Sequence, residues 1–563
     1  MSTASPRLAP ATASSLHAAQ APTPPAWLAD GVIYEIYPQS FADSNGDGIG
    51  DLRGVMEHLD YLSWLGVDTL WFNPCFASPF RDAGYDVSDY LRIAPRYGTN
   101  DDLVALVGAA KDRGIRVLLD LVAGHTSIEH PWFQHSANTP GDDRYIWSAR
   151  PGAGFVPSPG SRPGWYLKNF FDEQPALNFG YARLDPSEPW RQLPTEAGPQ
   201  ANEQALKDII AFWLDRGVAG FRVDMAFSLV KDDPDLSATT ALWSRVAAWV
   251  HEHYPDAALL PESDENVIAT AGVRGGFDAD FSLVIQREHS ALFNDGTAGV
   301  LPWQDQAEPC YFDPHAEEAD GLAALRRYLD LWQARLDEVG PGRLVVLPSA
   351  DHDFTRLAGD GRTEQELAAA FTFLLTWGTV PSIYYGDEIG MRFLTGAPET
   401  EGSRWNPGYD RAGCRTPMQW DDARPNAGFS TSQPGRLYLP QDPSPGRPTV
   451  AEQQRRSGSL LHHVRALIAL RKNTPELRTS APRTVLNADY PLVYLRGDRH
   501  LVVVHPRPTT AHVRLDFLQG RSAHLLLGAG ASVQDGAIDV EPLGHAVFEL
   551  SANTSAQPGV PRH

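Results

Sequence analysis

The stretch Gly220-Phe-Arg-Val-Asp224 (GFRVD) runs from a short apolar segment of β type into an arginine and a carboxylate two residues apart. Side chains alternate sides along a strand, so Arg222 and Asp224 are expected to point the same way while Val223 points into packing. A neighbouring guanidinium favours the ionised form of a carboxylate, which suits a nucleophile or an electrostatic stabiliser. Taken alone, this pattern more often marks a structural ion pair, so its meaning depends on the rest of the chain.

Short apolar segments of β type alternate with amphipathic helical segments on both sides of this motif. The predicted strands lie at 32–41, 69–74, 116–122, 220–224, 258–261, 277–283, 344–347 and 380–385. The predicted helices lie at 52–65, 101–113, 204–216, 236–253, 321–339, 364–377 and 459–472. Alternation of this kind predicts an α/β fold with a parallel sheet, and eight units predict a closed (β/α)₈ TIM barrel.

Two irregular stretches interrupt the alternation. Residues 125–203, after the third strand, are rich in Pro, Gly, Trp and Asn, and this stretch is too long for a loop. Residues 391–450, after the eighth strand, are also irregular and are rich in Gly, Pro and Arg. From about residue 483 short β-type runs predict a small antiparallel C-terminal β domain. The predicted organisation is a disordered tail at 1–27, a barrel at 28–124 and 204–482, an inserted subdomain at 125–203, a C-terminal β-sandwich at 483–552 and a polar tail at 553–563.

Composition excludes several classes of protein. A net charge of -23 argues against nucleic acid, because such binding depends on basic patches. The first 27 residues lack the apolar core of a secretory signal, and no apolar run is long enough to span a membrane. The cysteines Cys75, Cys310 and Cys414 show no metal-ligand spacing, so reduced thiols and a cytoplasmic location are expected.

The loop from Asp43 to Asp51 places oxygen donors at every second position. Asp43, Asn45 and Asp47 alternate with small residues, and Asp51 closes the loop. This spacing suits a hard cation such as Ca²⁺, which takes six to eight oxygen ligands. The alternative is an Asx/Gly turn that holds no ion. No organic cofactor is predicted.

Several polar residues fall at or beyond the predicted ends of strands. Barrel active sites lie at these C-terminal ends, so the residues are expected to share one surface. Three carboxylates, Asp224, Glu262 and Asp353, are thereby predicted to converge. Other residues expected on this surface are Asp120, His125, Arg222, His352, Tyr85 and Asp86. Glu262 follows the apolar run Leu259-Leu260-Pro261, which favours a protonated carboxyl and suits a proton donor.

The combined motifs resemble the four signature regions of glycoside hydrolase family 13, the α-amylase family. They are DLVAGH at 120–125, GFRVD, Glu262 after a strand, and His352-Asp353. The resemblance covers about residues 28–550 and implies a retaining double displacement at an α-glucosidic bond. It implies that Asp224 is the nucleophile, Glu262 the general acid/base and Asp353 a third, stabilising carboxylate.

The resemblance also implies roles for residues outside the acids. Asp86, Tyr85, His125 and His352 would hold one glucose, with Tyr85 as a stacking platform and Phe179 as a further contact. An arginine near the eighth strand would grip that glucose, and both Arg411 and Arg415 are candidates. The loop at 43–51 is similar to the calcium site of oligo-1,6-glucosidase-like members, in which the carbonyl of Ile49 would be a further ligand.

The chain departs from the family pattern at several positions. Gly124 stands where an asparagine usually precedes the histidine, so one hydrogen bond is expected to be missing. Pro261 and Asp351 replace a common glycine and an asparagine. Met225 follows the nucleophile, where α-1,4- and α-1,6-acting glucosidases tend to carry Ala and Val. Linkage preference therefore does not follow from the motifs.

The resemblance favours an exo-acting α-glucosidase acting on short oligosaccharides or disaccharides such as maltose, isomaltose, sucrose or trehalose. A transglucosidase or isomerase similar to trehalose synthase is the alternative, because the same covalent intermediate serves both. Trehalose-synthase-like members tend to carry Met at the position of Gln174, in the segment Gln174-Pro-Ala-Leu-Asn178. A non-catalytic sugar-binding relative is a remote alternative, since all three acids are present.

Overall fold

Eight parallel strands close into a barrel in a computed structural model of this chain. The structure describes residues 23–263, 275–282, 291–293, 310–339, 344–359, 361–406, 409–479 and 481–551. Numbered in chain order, the barrel strands β1 to β8 are Ile33–Ile36, Thr69–Phe72, Arg116–Val122, Gly220–Asp224, Ala258–Ser263, Ala279–Ser282, Leu344–Pro348 and Val380–Tyr384. Each strand pairs with the next and β8 pairs with β1, which confirms the predicted barrel.

Twelve α-helices whose two ends both lie in the described residues accompany these strands. Numbered α1 to α12, they are Ala26–Asp30, Pro38–Phe41, Leu52–Glu57, Leu59–Leu65, Asn100–Lys111, Pro131–Ser136, Ala197–Leu214, Ser237–His253, Glu318–Val339, Glu364–Thr376, Val450–Arg455 and Leu460–Asn473. Capping boxes at Thr99 and Thr363 begin α5 and α10. In each, the threonine side chain accepts from the N3 backbone N–H, and the N3 carboxylate accepts from the backbone N–H of the threonine. The predicted helix at 52–65 is divided at His58, and α7 begins at Ala197, inside the predicted subdomain.

Apolar side chains fill the lower part of the barrel interior. One buried cluster takes residues from seven of the eight strands, and Leu28 of α1 joins it from below. Its strand members are Ile33, Trp71, Leu118, Ala258, Leu260, Ala279, Phe281, Leu344, Val346 and Val380. This apolar plug forms a floor across the barrel, below the C-terminal ends of the strands.

The close approach of β4 to β5 requires glycine at position 220. Gly220 has φ +147°, and a Cβ there would lie 2.0 Å from the backbone oxygen of Ala258. The register pairs Gly220 with Ala258, Arg222 with Leu260 and Val223 with Pro261. This register aligns the two strands that carry Asp224 and Glu262.

The inserted subdomain follows β3 and contains a small antiparallel sheet. Its strands are Trp147–Ser148, Phe155–Pro157 and Trp165–Leu167, with α6 beside them. An antiparallel bridge between His125 and Ala176 ties the subdomain to the barrel opening. A further two-stranded sheet, Phe76–Ala77 with Asp89–Ile93, lies in the connection after β2.

The C-terminal domain is one hydrogen-bonded antiparallel sheet of six strands. They are Arg483–Ala488, Leu492–Arg496, His500–Val504, Ala511–Arg514, Ala523–Gln534 and Ala537–Leu550. The predicted antiparallel C-terminal domain is confirmed, and its arrangement as a β-sandwich stays a prediction. A long hairpin of the last two strands pairs along most of its length, and register shifts between 525 and 531 allow it to curve around its own core.

This sheet is joined to the barrel at the end of α10. Arg483 Nη1 and Arg496 Nη1 both donate to the carbonyl oxygen of Trp377, at 2.6 and 2.7 Å. Gly378 follows, and a Cβ there would lie 1.6 Å from Arg496 Nη1. Two cations of the C-terminal domain thus bind the turn that leads into β8.

Some predictions concern residues outside the described ranges. The tail at 553–563, residues 1–22 of the N-terminal tail and Leu283 of the sixth predicted strand lie there. In the described part of the chain, no helix has the length and apolar character needed to cross a bilayer. The three cysteine thiols are all buried.

Candidate active site

Alternation along the strands places charged residues directly above the apolar plug. Residues two positions apart share a side of a strand, so those that follow a plug residue by two point to the same interior. Glu35 follows Ile33, Asp120 follows Leu118 and Glu262 follows Leu260 in this way. All are buried at the opening where β1, β3 and β5 end. A barrel with such a floor presents its chemistry at one end.

Arg222 holds three carboxylates with one guanidinium. Its Nη1 lies 3.0 Å from Asp120 Oδ1 and 3.1 Å from Asp224 Oδ1, and its Nη2 lies 2.9 Å from Glu262 Oε1. The backbone N–H of Met225 donates to Glu262 Oε2 at 2.9 Å. Asp224 and Glu262 therefore lie together at one guanidinium, on adjacent strands whose spacing is about 4.8 Å.

The electrostatics of Asp224 differ from the expectation of a simple ion pair. Burial, followed by the charge of Glu262, raises the pKa of Asp224 well above its ordinary value, and Arg222 opposes this rise. Arg222 does not serve Asp224 alone, because Asp120 and Glu262 share it. The expected apolar surroundings of Glu262 were wrong, since an arginine and a backbone N–H contact its carboxyl.

Asp353 lies between two arginines on the opposite wall. Its Oδ1 accepts from Arg411 Nη1 at 2.7 Å and from Arg415 Nη2 at 3.1 Å. Burial alone would raise the pKa of Asp353, but His352, Arg411 and Arg415 together lower it well below its usual range. Asp353 is therefore charged at neutral pH.

Tyr85 and His352 form the wall between the two groups of acids. The ring of Tyr85 stacks on the imidazole of His352 with centroids 5.6 Å apart and planes at 15°. Its hydroxyl lies 2.7 Å from His352 Nε2 and donates to Asp120 Oδ2 at 3.1 Å. On the far side, His352 Nδ1 lies 2.9 Å from Glu35 Oε1. One face of Tyr85 is thus covered by protein, so any sugar would pack on the other.

Asp82 is a residue of this site that the sequence analysis missed. Its Oδ1 lies 3.4 Å from Arg411 Nη2, and its Oδ2 accepts from Gln174 Nε2 at 2.8 Å. Asp86, chosen from the same segment, is instead fully buried and accepts from the Ser78 hydroxyl and from the backbone N–H groups of 81 and 82. Asp86 thus stabilises the turn that presents Asp82, and its contact with sugar stays a prediction.

The two candidate arginines have different surroundings. Arg415 is 1% exposed, and its Nε donates to the carbonyl oxygen of His352 at 2.8 Å. Arg411 donates to the carbonyl oxygen of Gly402 at 2.7 Å and joins Asp353 to Asp82. Arg411 therefore lies at the side of the pocket, whereas Arg415 supports the loop behind it.

His125 and Phe179 lie on the subdomain side of the pocket. The Nε2 of His125 is 3.1 Å from the carbonyl oxygen of Tyr85, and its Nδ1 is 3.1 Å from Asn169 Nδ2. Burial lowers the pKa of His125 to about 3, so the ring is neutral. Phe179 is 1% exposed within the main apolar core, and its contact with sugar stays a prediction. Phe133 and Tyr166 of the subdomain pack edge-to-face and belong to the main apolar core.

The loop at 43–51 forms a series of Asx turns. Asp43, Asn45 and Asp47 each accept, through Oδ1, the backbone N–H two residues ahead. Asp51 caps α3 by accepting from the N–H of Gly54 at 2.7 Å. No three His, Cys, Asp or Glu side chains of the described residues come together as a metal site, so a cation here would also need the Asn45 amide and Ile49 carbonyl oxygens. Oxygen donors of this kind fit Ca²⁺ chemically.

Two facing carboxylates at the end of a parallel barrel, with a third carboxylate opposite, define the site of a barrel glycosidase. Comparison with known proteins gives the family. Residues 35–480 match the model of the alpha-amylase catalytic domain, and the chain belongs to the α-amylase family, glycoside hydrolase family 13. It is an enzyme of the glycoside hydrolase class.

Similar proteins include both glucosidases and synthases. The trehalose synthase/amylase TreS of Mycobacterium tuberculosis (strain ATCC 25618 / H37Rv) is 34% identical over 505 residues, covering 82% of this chain and 78% of that protein. The glucan 1,6-alpha-glucosidase of Streptococcus pneumoniae is 31% identical over 530 residues, covering 85% and 91%. The solved structure of isomaltulose synthase from Erwinia rhapontici NX5 has a TM-score of 0.75 at 25% identity and covers 94% of this chain and 100% of that one.

Proposed function

We propose that this enzyme is a retaining, exo-acting α-glucosidase that releases one glucose from the non-reducing end of short α-glucosides. The observation that carries the proposal is the position of Arg411, which joins Asp82 to Asp353 at one side of the pocket. A chain of charged groups at this position would close the pocket around a single terminal sugar and exclude a continuing polymer. Charged groups also suit the hydroxyls of a terminal ring.

The first step forms a covalent glucosyl-enzyme. An oxygen of Asp224 attacks the anomeric carbon while the bond from that carbon to the glycosidic oxygen breaks. Glu262 gives its proton to the leaving oxygen. This step requires a charged Asp224 and a protonated Glu262 when the substrate is bound.

In the second step Glu262 acts as a base. It takes a proton from water, whose oxygen attacks the anomeric carbon and releases Asp224. The positive charge that develops on the sugar ring in both steps is stabilised by the charged carboxylate of Asp353, which Arg411 and Arg415 hold in place.

The test is a substrate panel with product identification by chromatography. The purified protein is incubated with maltose, isomaltose, sucrose, trehalose and soluble starch. Release of α-glucose from disaccharides but not from starch interiors is expected. Random shortening of starch would contradict the exo-acting proposal, and no glucose from any substrate would contradict the function.

A second candidate is an isomerase or transglucosidase, in which a sugar hydroxyl replaces water in the second step. The 34% identity to trehalose synthase/amylase TreS favours it. Gln174 favours hydrolysis, because trehalose-synthase-like members tend to carry Met there. High maltose distinguishes the two, since an isomerase yields trehalose or another disaccharide in excess of free glucose.

We also propose that the loop at 43–51 binds Ca²⁺ as a structural ion. Asp43, Asn45, Asp47, Asp51 and the carbonyl of Ile49 would hold it. An ion here would stabilise the turn between β1 and α3 and take no part in the reaction. Removal of calcium with a chelator should lower the Tm, and Ca²⁺ should restore it in the native chain but not in Asp47→Ala. Equal Tm values with and without the ion would refute the site.

A further inference from the structure

Gly124 immediately precedes His125, at the position where the first signature region usually carries asparagine. Its backbone is outside the left-handed region, so its conformation does not require glycine. A Cβ at this position would lie 2.9 Å from Ser228 Oγ and 3.1 Å from Asn169 Nδ2. Position 124 is thus glycine because neighbouring side chains occupy the space.

Asn169 occupies that space from the inserted subdomain. Its Nδ2 lies 3.1 Å from His125 Nδ1 and donates to Ser228 Oγ at 3.2 Å, while its Oδ1 accepts from Lys231 Nζ at 2.7 Å. Its backbone N–H donates to the carbonyl oxygen of Gln174 at 2.8 Å, which holds the turn around it. A side chain remote in sequence therefore supplies the hydrogen bond expected to be missing at position 124.

The ammonium of Lys231 determines the direction of the hydrogen bonds that run from Lys231 through Asn169 to His125. Lysine can only donate, so the amide oxygen of Asn169 must face Lys231 and its NH₂ must face His125. His125 Nδ1 then accepts, and the ring proton is on Nε2, 3.1 Å from the carbonyl oxygen of Tyr85. The series runs from Lys231 to the backbone of Tyr85, whose ring forms the pocket wall.

We propose that Asn169, oriented by Lys231, is a positioning residue that fixes the tautomer and location of His125 in place of an asparagine at position 124. The inference rests on the proposed function, because it assigns both residues to the same sugar pocket. It requires positions 124 and 169 to depend on each other, since only one of them has room for an amide side chain.

The test is a cycle of variants, Asn169→Ala, Gly124→Asn and the double variant. The control is Asn138→Ala, which removes an exposed asparagine of the same subdomain that bonds Ser161. Asn169→Ala should lower kcat/KM by about 100-fold, because misplacing a pocket residue slightly has effects of that size. Gly124→Asn should also lower it, through collision with Asn169. The double variant should recover to within about fivefold of the native enzyme.

Two outcomes would overturn the inference. One is an Asn169→Ala enzyme as active as Asn138→Ala; the other is a double variant no better than the poorer single variant. Thermal unfolding of the same variants gives a readout without turnover, in which the double variant should have a higher Tm than Gly124→Asn. If the native protein releases no glucose from any substrate, the proposed function fails, and the unfolding cycle still decides whether the two positions are coupled.

Discussion

Gln174 Nε2 donates to Asp82 Oδ2 at 2.8 Å, and both residues are buried. The other oxygen of Asp82 contacts Arg411, so a residue of the inserted subdomain orients the carboxylate that borders the pocket. The sugar binding proposed for this pocket would therefore depend on the subdomain, although none of the three proposed catalytic acids comes from it.

Gln174→Met is predicted to weaken glucose binding. The thioether cannot donate to Asp82, whose buried carboxylate loses a hydrogen bond worth about 1–3 kcal/mol. KM should rise by roughly 5- to 100-fold, with a smaller change in kcat. Gln134→Met, at an exposed site of the same subdomain, is the matched control. Steady-state kinetics on maltose measure the effect, and an unchanged KM would show that Gln174 does not orient Asp82.

Asp224→Asn is predicted to lower kcat by about four to six powers of ten, as expected when a nucleophile is removed. The fold should persist, because the asparagine side chain has nearly the same volume as the aspartate that it replaces. Asp208→Asn, on the exposed face of α7, should leave the rate unchanged. Rates with an activated aryl α-glucoside, together with Tm values, check this. A loss below tenfold would refute the nucleophile assignment.

Arg411→Ala and Arg415→Ala are predicted to have different effects. Arg411 borders the pocket, so its loss should raise KM by about 10- to 100-fold through a lost charged hydrogen bond. Arg415 supports the His352 carbonyl from a buried position, so its loss should lower the free energy of unfolding by about 2–5 kcal/mol. Kinetics and denaturant unfolding separate the two. Identical profiles for both variants would contradict this division.

Glu388 is predicted to make stability depend on pH. Burial raises the pKa of Glu388 from an ordinary 4.5 to about 7, and its Oε1 accepts from the hydroxyls of Tyr34 and Tyr61. Because the folded state retains the proton, the stabilisation is present below about pH 4.5 and is lost as pH rises through 7. Full ionisation of Glu388 in the folded state lowers the free energy of unfolding by about 3 kcal/mol.

Glu388→Gln has no carboxylate to ionise. The difference between its Tm and that of the native chain should therefore shift in favour of the variant as pH rises from 5 to 8. Glu252→Gln, on the exposed face of α8, should show no such gain. Thermal unfolding across this range is the measurement. A constant difference between Glu388→Gln and the native protein would show that Glu388 does not change its charge on folding.

The barrel and the central acids could be predicted from sequence because both depend on local periodicity. Alternation along β4 and β5 sets the direction of Arg222, Asp224 and Glu262 before any tertiary contact is known. The apolar run before Glu262 was misleading, since the residues that contact its carboxyl come from β4 and the turn after it.

Residues in irregular segments could not be placed in the same way. Asp82 and Asp86 differ only in how a turn after β2 directs them, and no period distinguishes them. Asn169 lies in a subdomain without regular repeats, so its contact with His125 depends on packing between chain segments 44 residues apart. The C-terminal strands could be predicted from their short β-type runs. Their order in the sheet could not, because it is determined by hydrogen bonds between strands distant in sequence.

The two arginines that bind the Trp377 carbonyl oxygen have a consequence for dissecting this enzyme. Truncation at residue 482 would leave that oxygen and the start of β8 without either cation. We therefore expect the catalytic barrel and the C-terminal sheet to melt in a single cooperative transition. Chimeras made with relatives would have to exchange both parts together.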